Sequence, residues 1–249
     1  MATSAKLKEP HRWNTKEYEE RTRKLYRTEL HKLYPSEAWC LYRILPHCET
    51  VLDLGCGSGA MAAITRQIAP GAQYTGNDHQ GTLMAEARGA FPYANFVTAD
   101  LKEFLRSCDK ADCVMSWSVI KSFGDWRDLI AGMLEKANHY VICDIRVSNA
   151  EFEAFDDQVC WADYGGRRGP IAFLNYPAYR DALLAHKDRL SRIEIAGYQS
   201  EWGAYVHLKD ELDPETFLIT SVLVKKGAPG TEPEAPFELF ERLPGNLER

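Results

Sequence analysis

The 249-residue chain has no run of about 18 apolar residues that could span a bilayer, and "MATSAKLKEPHRW" at its start lacks the apolar centre of a secretion signal. The cytosol is therefore the expected location, with no membrane partner. Positive charge is also short: 30 Lys and Arg against 36 Asp and Glu leave a formal net charge of -6. That balance disfavours a broad phosphate-binding surface, so nucleic acid is not an expected partner. The seven cysteines, at 40, 48, 56, 108, 113, 143 and 160, form no CxxC pair and no Cys/His group with metal spacing. They read as reduced structural thiols, and no metal is expected. No internal repeat is present.

What is present suits a soluble globular protein with a sizeable core, at 45% apolar and 27% charged residues. Residues 15–45 carry charged and aromatic residues at helical spacing, broken at Pro35, which predicts two helices. Within them Tyr18, Tyr26, Tyr34 and Tyr42 recur at close to two helical turns, as a packing stripe or as a lid over a site. From residue 51 short β-branched runs ("TVLDL", "AQYTGND", "NFVTAD", "ADCVMSWS", "HYVICDI") alternate with helical stretches. Strands separated by helices need crossover connections, hence an α/β fold with a doubly wound, mostly parallel, Rossmann-like sheet. Ligands of such sheets bind at the carboxyl ends of the strands.

After Val147 the alternation pauses. Residues 149–178 read as a substrate-side insertion of loop or short helices, followed by a helix and two long strand-like runs. These runs, separated only by "DELDP", predict a C-terminal antiparallel hairpin at the end of the sheet. The expected organisation is an N-terminal helical cap over 1–48, the sheet domain over 49–225, and a mobile or surface-draped tail over 226–249, where four prolines fall.

"VLDLGCGSGA", Val51 to Ala60, is a strand that runs into a glycine turn and then a helix. Without side chains at the turn, ligand can approach backbone closely. Gly55, Gly57 and Ala60 satisfy the dinucleotide pattern GxGxxA, and Asp78 stands about 20 residues on, where a ribose-binding acid belongs. Asp53 argues against a dinucleotide, because a carboxylate facing the turn repels a pyrophosphate and attracts a cationic ligand.

With that acid, "VLDLGCGSG" resembles the first motif of class I S-adenosylmethionine (SAM)-dependent methyltransferases, and the resemblance runs through about residues 49–147. It implies SAM as cofactor, held at Asp53, Gly55, Gly57 and Gly59. In "YTGND" the closing Asp78 would take both ribose hydroxyls, with His79 beside it near the cofactor. In "FVTADL" Asp100 would face the adenine amino group, with a backbone contact from Leu101; Ser116 at the end of the fourth strand completes the set. Asp100 also reads as a helix N-cap for "LKEFL".

Methyl transfer from a sulfonium needs alignment and exclusion of water more than a particular catalytic group; a base matters when the acceptor must lose a proton. The segment "SWSV" at Ser116–Val119 departs from the Asn/Asp-Pro-Pro-aromatic motif of DNA amine methyltransferases. Lys121-Ser122 replaces the Glu-His pair of many small-molecule relatives, so no base carries over and the catalytic residue stays unassigned. Lys121 reads as a solvated helix-start residue or as an anion ligand. The expected acceptor is a small molecule methylated at oxygen or nitrogen, planar, amphipathic or anionic, lined by Trp13, Tyr18, Trp117, Lys121, Arg146, Trp161 and Tyr164, with Arg167 and Arg168 near. His207 is a candidate base on a strand face, and His139, at the opposite end of the sheet, is structural. The alternatives are a catalytically silent SAM-fold scaffold and a nicotinamide-dependent oxidoreductase. The oligomeric state stays open, with a homodimer among the expectations.

Overall fold

The structure is a computed structural model and describes residues 15–24, 26–163, 166–201, 206–232, 235–245 and 247. Trp13 and Tyr164 lie outside the described residues. Five strands, β1 (Thr50–Leu54), β2 (Gln73–Asp78), β3 (Asn95–Thr98), β4 (Ala111–Ser116) and β5 (Ala137–Ser148), pair in parallel in the order β3-β2-β1-β4-β5. The helices α3 (Ala60–Ile68), α4 (Gly81–Ala90), α5 (Leu101–Ser107) and α6 (Trp126–Lys136) connect them, preceded by α1 (Lys16–Lys24) and α2 (Pro35–Ile44), where Pro35 opens the second helix. The order reverses beside β1, and that switch point places the ligand crevice between the carboxyl ends of β1 and β4.

Side chains alternate along each strand between two apolar layers. Tyr140 and Ile142 of β5 pack with α2, α3 and α4, whereas Val141, Cys143, Ile145 and Val147 face α5, α6 and α7 (Tyr176–Leu184). The even-numbered row of β5 therefore continues through Asp144 and Arg146 on the α2 side, beyond the last pairing with β4 at Cys143.

The C-terminal strands β8 (Leu190–Gln199) and β10 (Thr216–Lys225) pair antiparallel as expected, with β10 inserted between β5 and β8. Two segments differ from the sequence reading. The insertion forms β6 (Cys160–Asp163) and β7 (Arg168–Pro170), which join β9 (Val206–Leu208), split from the end of the β8 run, in a separate three-stranded sheet. The region read as a tail supplies β11 (Glu238–Arg242), parallel to β8 at the edge of an eight-stranded sheet. Phe237, Leu239 and Leu243 pack against the core there, and Glu241 accepts hydrogen bonds from the Tyr176 hydroxyl and from Arg180 Nε. The prolines at 236 and 244 bracket this strand without entering it, which leaves its ladder donors intact. Among the described residues no helix is long and apolar enough to cross a membrane.

Candidate active site

A cavity of about 610 Å³ opens at the carboxyl ends of the parallel strands, roofed by α1 and the start of α2. Its first end is built from backbone. Gly55 and Gly57 adopt φ of +71° and +56°, left-handed conformations that cost side-chain-bearing residues about 1–2 kcal/mol. A Cβ on Gly55 would lie 2.4 Å from Val119 Cγ2, and one on Gly57 would lie 2.8 Å from Thr22 Cγ2 on α1. The Gly55 and Cys56 N–H groups donate to the Asn77 carbonyl at 2.8 and 2.9 Å, which fastens the turn to the end of β2. The next residue, Asp78, is buried and accepts from the Gly57 and Gln80 N–H groups, both at 3.0 Å. His79 Nδ1 lies 3.3 Å from Asp78, while its buried Nε2 has no hydrogen-bond partner among the described residues.

Asp53 is 1% exposed and accepts a 2.5 Å hydrogen bond from the Tyr74 hydroxyl. Burial raises its carboxyl to about 7, opposed by that hydrogen bond and reinforced by the nearby Asp78 charge. A cation on the cavity side would reverse the balance. Asp100 caps α5, its Oδ1 accepting from the Lys102 and Glu103 N–H groups, and lines the cavity with Leu101. The capping and ligand-facing readings of Asp100 are thus compatible.

The second end is built from side chains on separate elements. Arg146, Leu218 and Tyr198 are direct neighbours across β5, β10 and β8 and form one row on the wall. Arg146 Nε donates to the Glu201 carbonyl at 3.0 Å, and its Nη2 donates to Ser200 Oγ at 3.1 Å. Asp144, 7% exposed, sits two residues before Arg146. Ser118 folds over it with φ +58°, donating its N–H to Oδ1 and its hydroxyl to Oδ2, the latter at 3.4 Å. Burial pushes the Asp144 carboxyl up, against the Ser118 hydrogen bonds and the Lys121 and Arg146 charges. On α2, Glu37 accepts from Arg27 and from the Tyr34 N–H, and burial raises its carboxyl too.

Of the residues singled out from sequence, the cavity wall holds Asp53, Gly55, Gly57, Asp78, His79, Asp100, Leu101, Tyr18, Trp117, Lys121 and Arg146. Three others stand elsewhere. Gly59, with φ of +80°, packs under the Phe96 ring, where a Cβ would come within 2.7 Å. The Ser116 hydroxyl donates to the Leu54 carbonyl at 3.2 Å and ties β4 to β1. Trp161 lies on the small sheet, stacked on His207 at 5.6 Å and under the Arg168 guanidinium at 3.8 Å, because the pairing of β6 with β9 turns it away from the cleft. Lys121 is not solvated: it is 6% exposed in a 3-10 turn (Ile120–Ser122) and faces the cavity. Tyr18, Tyr26 and the partly solvent-facing Tyr34 line the cavity, whereas Tyr42 is exposed and stands outside its lining.

Sequence reasoning passed over Arg27, Glu37, Asp144, Tyr198 and Ser200. Asp144 had a signal: in "CDIR" it shares strand parity with Arg146, so a wall that holds one holds the other. The glycine cradle, the buried acids Asp53 and Asp78, and the buried Trp117 Nε1, which has no hydrogen-bond partner among the described residues, fit an adenosyl cofactor with a cationic end.

Residues 51–139 match the family model described as a methyltransferase domain. The chain is 28% identical over 142 residues to trans-aconitate 2-methyltransferase of Escherichia coli, an alignment that covers 56% of each protein; the chain thus spans little more than half the length of the curated relatives it matches. Among solved structures, the N-terminal domain of EvdMO1 with S-adenosylhomocysteine (SAH) bound superposes with a TM-score of 0.58 at 14% identity, over 83% of this chain and 95% of that one. Magnesium protoporphyrin IX methyltransferase of Synechocystis with bound SAM gives a TM-score of 0.55 at 16% identity, over 88% and 99%. The plantazolicin methyltransferase BpumL, in complex with SAH and a monoazolic substrate analogue, gives 0.55 at 16%, over 87% and 93%. At these identities the likenesses establish the fold.

Proposed function

We propose that this chain, which carries a methyltransferase domain of the class I, SAM-dependent kind, transfers a methyl group to an oxygen or nitrogen of a small anionic molecule. One observation carries the reading: a single cavity joins the glycine turn and its buried acids to a wall of aromatic and basic side chains. Bound SAM would supply the methyl on a sulfonium. The Gly55–Gly57 turn and Asp53 would receive its methionine end, Asp78 the ribose hydroxyls, and Asp100 with Leu101 the adenine.

The chain's own residues then position the acceptor. Arg146 and Lys121 suit a carboxylate or a similar anion, and Tyr18, Tyr34, Trp117 and Tyr198 supply flat apolar area beside them. The roof of α1 keeps water from the reacting atoms, and alignment of this kind is worth roughly 7–11 kcal/mol. The relative named for trans-aconitate acts on a small polyanion, in keeping with Lys121 and Arg146 on this wall. Isothermal titration should show SAH and SAM binding, with Asp78→Ala weakening both about 10- to 100-fold, since hydrogen bonds to charged groups contribute about 1.5–3 kcal/mol. Tight NADH binding with none of SAM or SAH would refute the reading.

A further inference from the structure

Building on the methyl-transfer reading, we propose that Asp144 is the general base of the reaction and that the group methylated is a hydroxyl, whose proton passes to Asp144 Oδ2. Asp144 stands on the acceptor side of the Trp117–Val119 turn. Val119 packs against Gly55 on the other side of that turn, so a single turn separates the carboxylate from the glycine cradle. The left-handed Ser118 aims both its N–H and its hydroxyl at Asp144. Non-glycine residues keep such a conformation where surrounding structure enforces it, commonly at working sites. The N–H holds Oδ1, whereas the hydroxyl reaches Oδ2 only at 3.4 Å, which leaves Oδ2 the better placed oxygen for a substrate proton.

The other carboxylates on the wall are engaged or placed at the cofactor end. Glu37 has one oxygen on Arg27 and the other on the Tyr34 N–H, while Asp53, held by the Tyr74 hydroxyl, and Asp78 and Asp100, held by backbone N–H groups, stand at the cofactor end. The charged groups around Asp144 are Lys121 from the 3-10 turn, Arg146 on its own strand and Glu37 on α2; Tyr198 of β8 lines the same cavity. The neighbouring Cys40, Cys143 and Tyr179 are pushed up by burial and stay neutral near pH 7. A carboxylic acid whose proton is lost at higher pH than usual is a stronger base when ionised, and this one sits in a dry wall. In the step the acceptor oxygen forms the new O–C bond, its proton goes to Oδ2, and the S–C bond breaks with its electron pair staying on sulfur. Asp144 returns the proton to solvent after the product leaves.

The test uses the full chain, Asp144→Asn, and a panel of phenols, hydroxy acids and carboxylic acids without a hydroxyl. Label transfer from methyl-tritiated SAM is measured together with calorimetry of the same compounds on the SAH-loaded protein. Label on hydroxyl compounds is expected, with kcat at least about 100-fold lower in Asp144→Asn while the Kd for SAH and the KM for SAM stay within threefold. In the wild type kcat falls tenfold per pH unit on the acid side, and hydroxyl compounds bind SAH-loaded protein more weakly there; both trends vanish in the variant. If the variant loses SAH, and with it a sound fold, the wild-type acid limb decides. Label confined to carboxylic acids, a silent panel, kcat within threefold in a variant that binds SAH, or no acid limb would overturn the assignment. Failure of wild-type protein to bind SAH removes the methyl-transfer reading itself.

Discussion

The two ends of the cavity hold their charges through partners at different distances along the chain. At the glycine end, Asp78 and Asp100 are fixed by backbone N–H groups a few residues away or on the adjoining strand, and Asp53 by a neighbouring tyrosine. At the other end Glu37, Lys121, Asp144 and Arg146 come from α2, the turn after β4, and β5; Glu37 is held by the Tyr34 N–H and Arg27, Asp144 by the Ser118 N–H and hydroxyl, and Arg146 by the Ser200 hydroxyl and the Glu201 carbonyl in the loop after β8. Backbone partners persist when neighbouring side chains change, because they belong to the fold, and both ends use them. The side-chain partners of the acceptor end, Arg27, Ser118 and Ser200, are the ones a single substitution can remove.

The largest effect that separates the ends concerns Asp53. Its folded value of about 7 lies above 3.8, so the fold prefers the protonated carboxyl: stability is fully present below pH 3.8 and is lost as pH rises towards 7. The difference corresponds to about 4 kcal/mol. Asp53→Asn is therefore expected to raise the stability of the unliganded protein at pH 8 and to remove this loss, while weakening SAM binding; urea titration at pH 5 and pH 8 checks the first part and calorimetry the second. A variant no more stable at pH 8 would mean that Asp53 is already compensated.

Gly55→Ala should follow, with a loss of about 3 kcal/mol from left-handed strain and the contact with Val119, together with loss of SAH binding. Thermal unfolding with and without SAH reads both. Because Val119 belongs to the turn over Asp144, this substitution also reaches the acceptor end. Unchanged SAH affinity would show that the turn has more room than its packing implies.

The smallest effect sharpens the comparison from the other side. Arg146→Met is expected to raise the KM of the best anionic acceptor about 10-fold, in line with about 1.4 kcal/mol for a charged hydrogen bond, and to leave the Kd for SAH within twofold. Trp161→Ala, on the small sheet, should leave both values within twofold. A KM that responds to Trp161 but not to Arg146 would move the acceptor to the insertion.

The glycine end was largely legible in the chain. Its acids stand at the ends of strands that announce themselves by β-branched runs, and its turn is contiguous, so residues near in sequence are near in space. Asp100 shows the limit of that legibility, since the same residue caps a helix and lines the cavity. For the acceptor wall, strand parity puts Asp144 on the same face as Arg146, a signal the sequence reading passed over, and nothing local shows that Tyr198 and Leu218 stand next to them.

By itself, the order of strands, helices and glycines determined a doubly wound sheet, an acid-rimmed turn at the carboxyl end of β1, and the side of the sheet where ligand enters. Tertiary structure alone decided that Trp161 faces a small sheet, that Glu238–Arg242 closes the edge of the large one, and that Lys121 is buried. The physical reason is the reach of the forces involved. Turn chemistry and periodicity act over a few residues, whereas ladder hydrogen bonds and burial are settled between segments far apart in the chain, whose pairing no local pattern records.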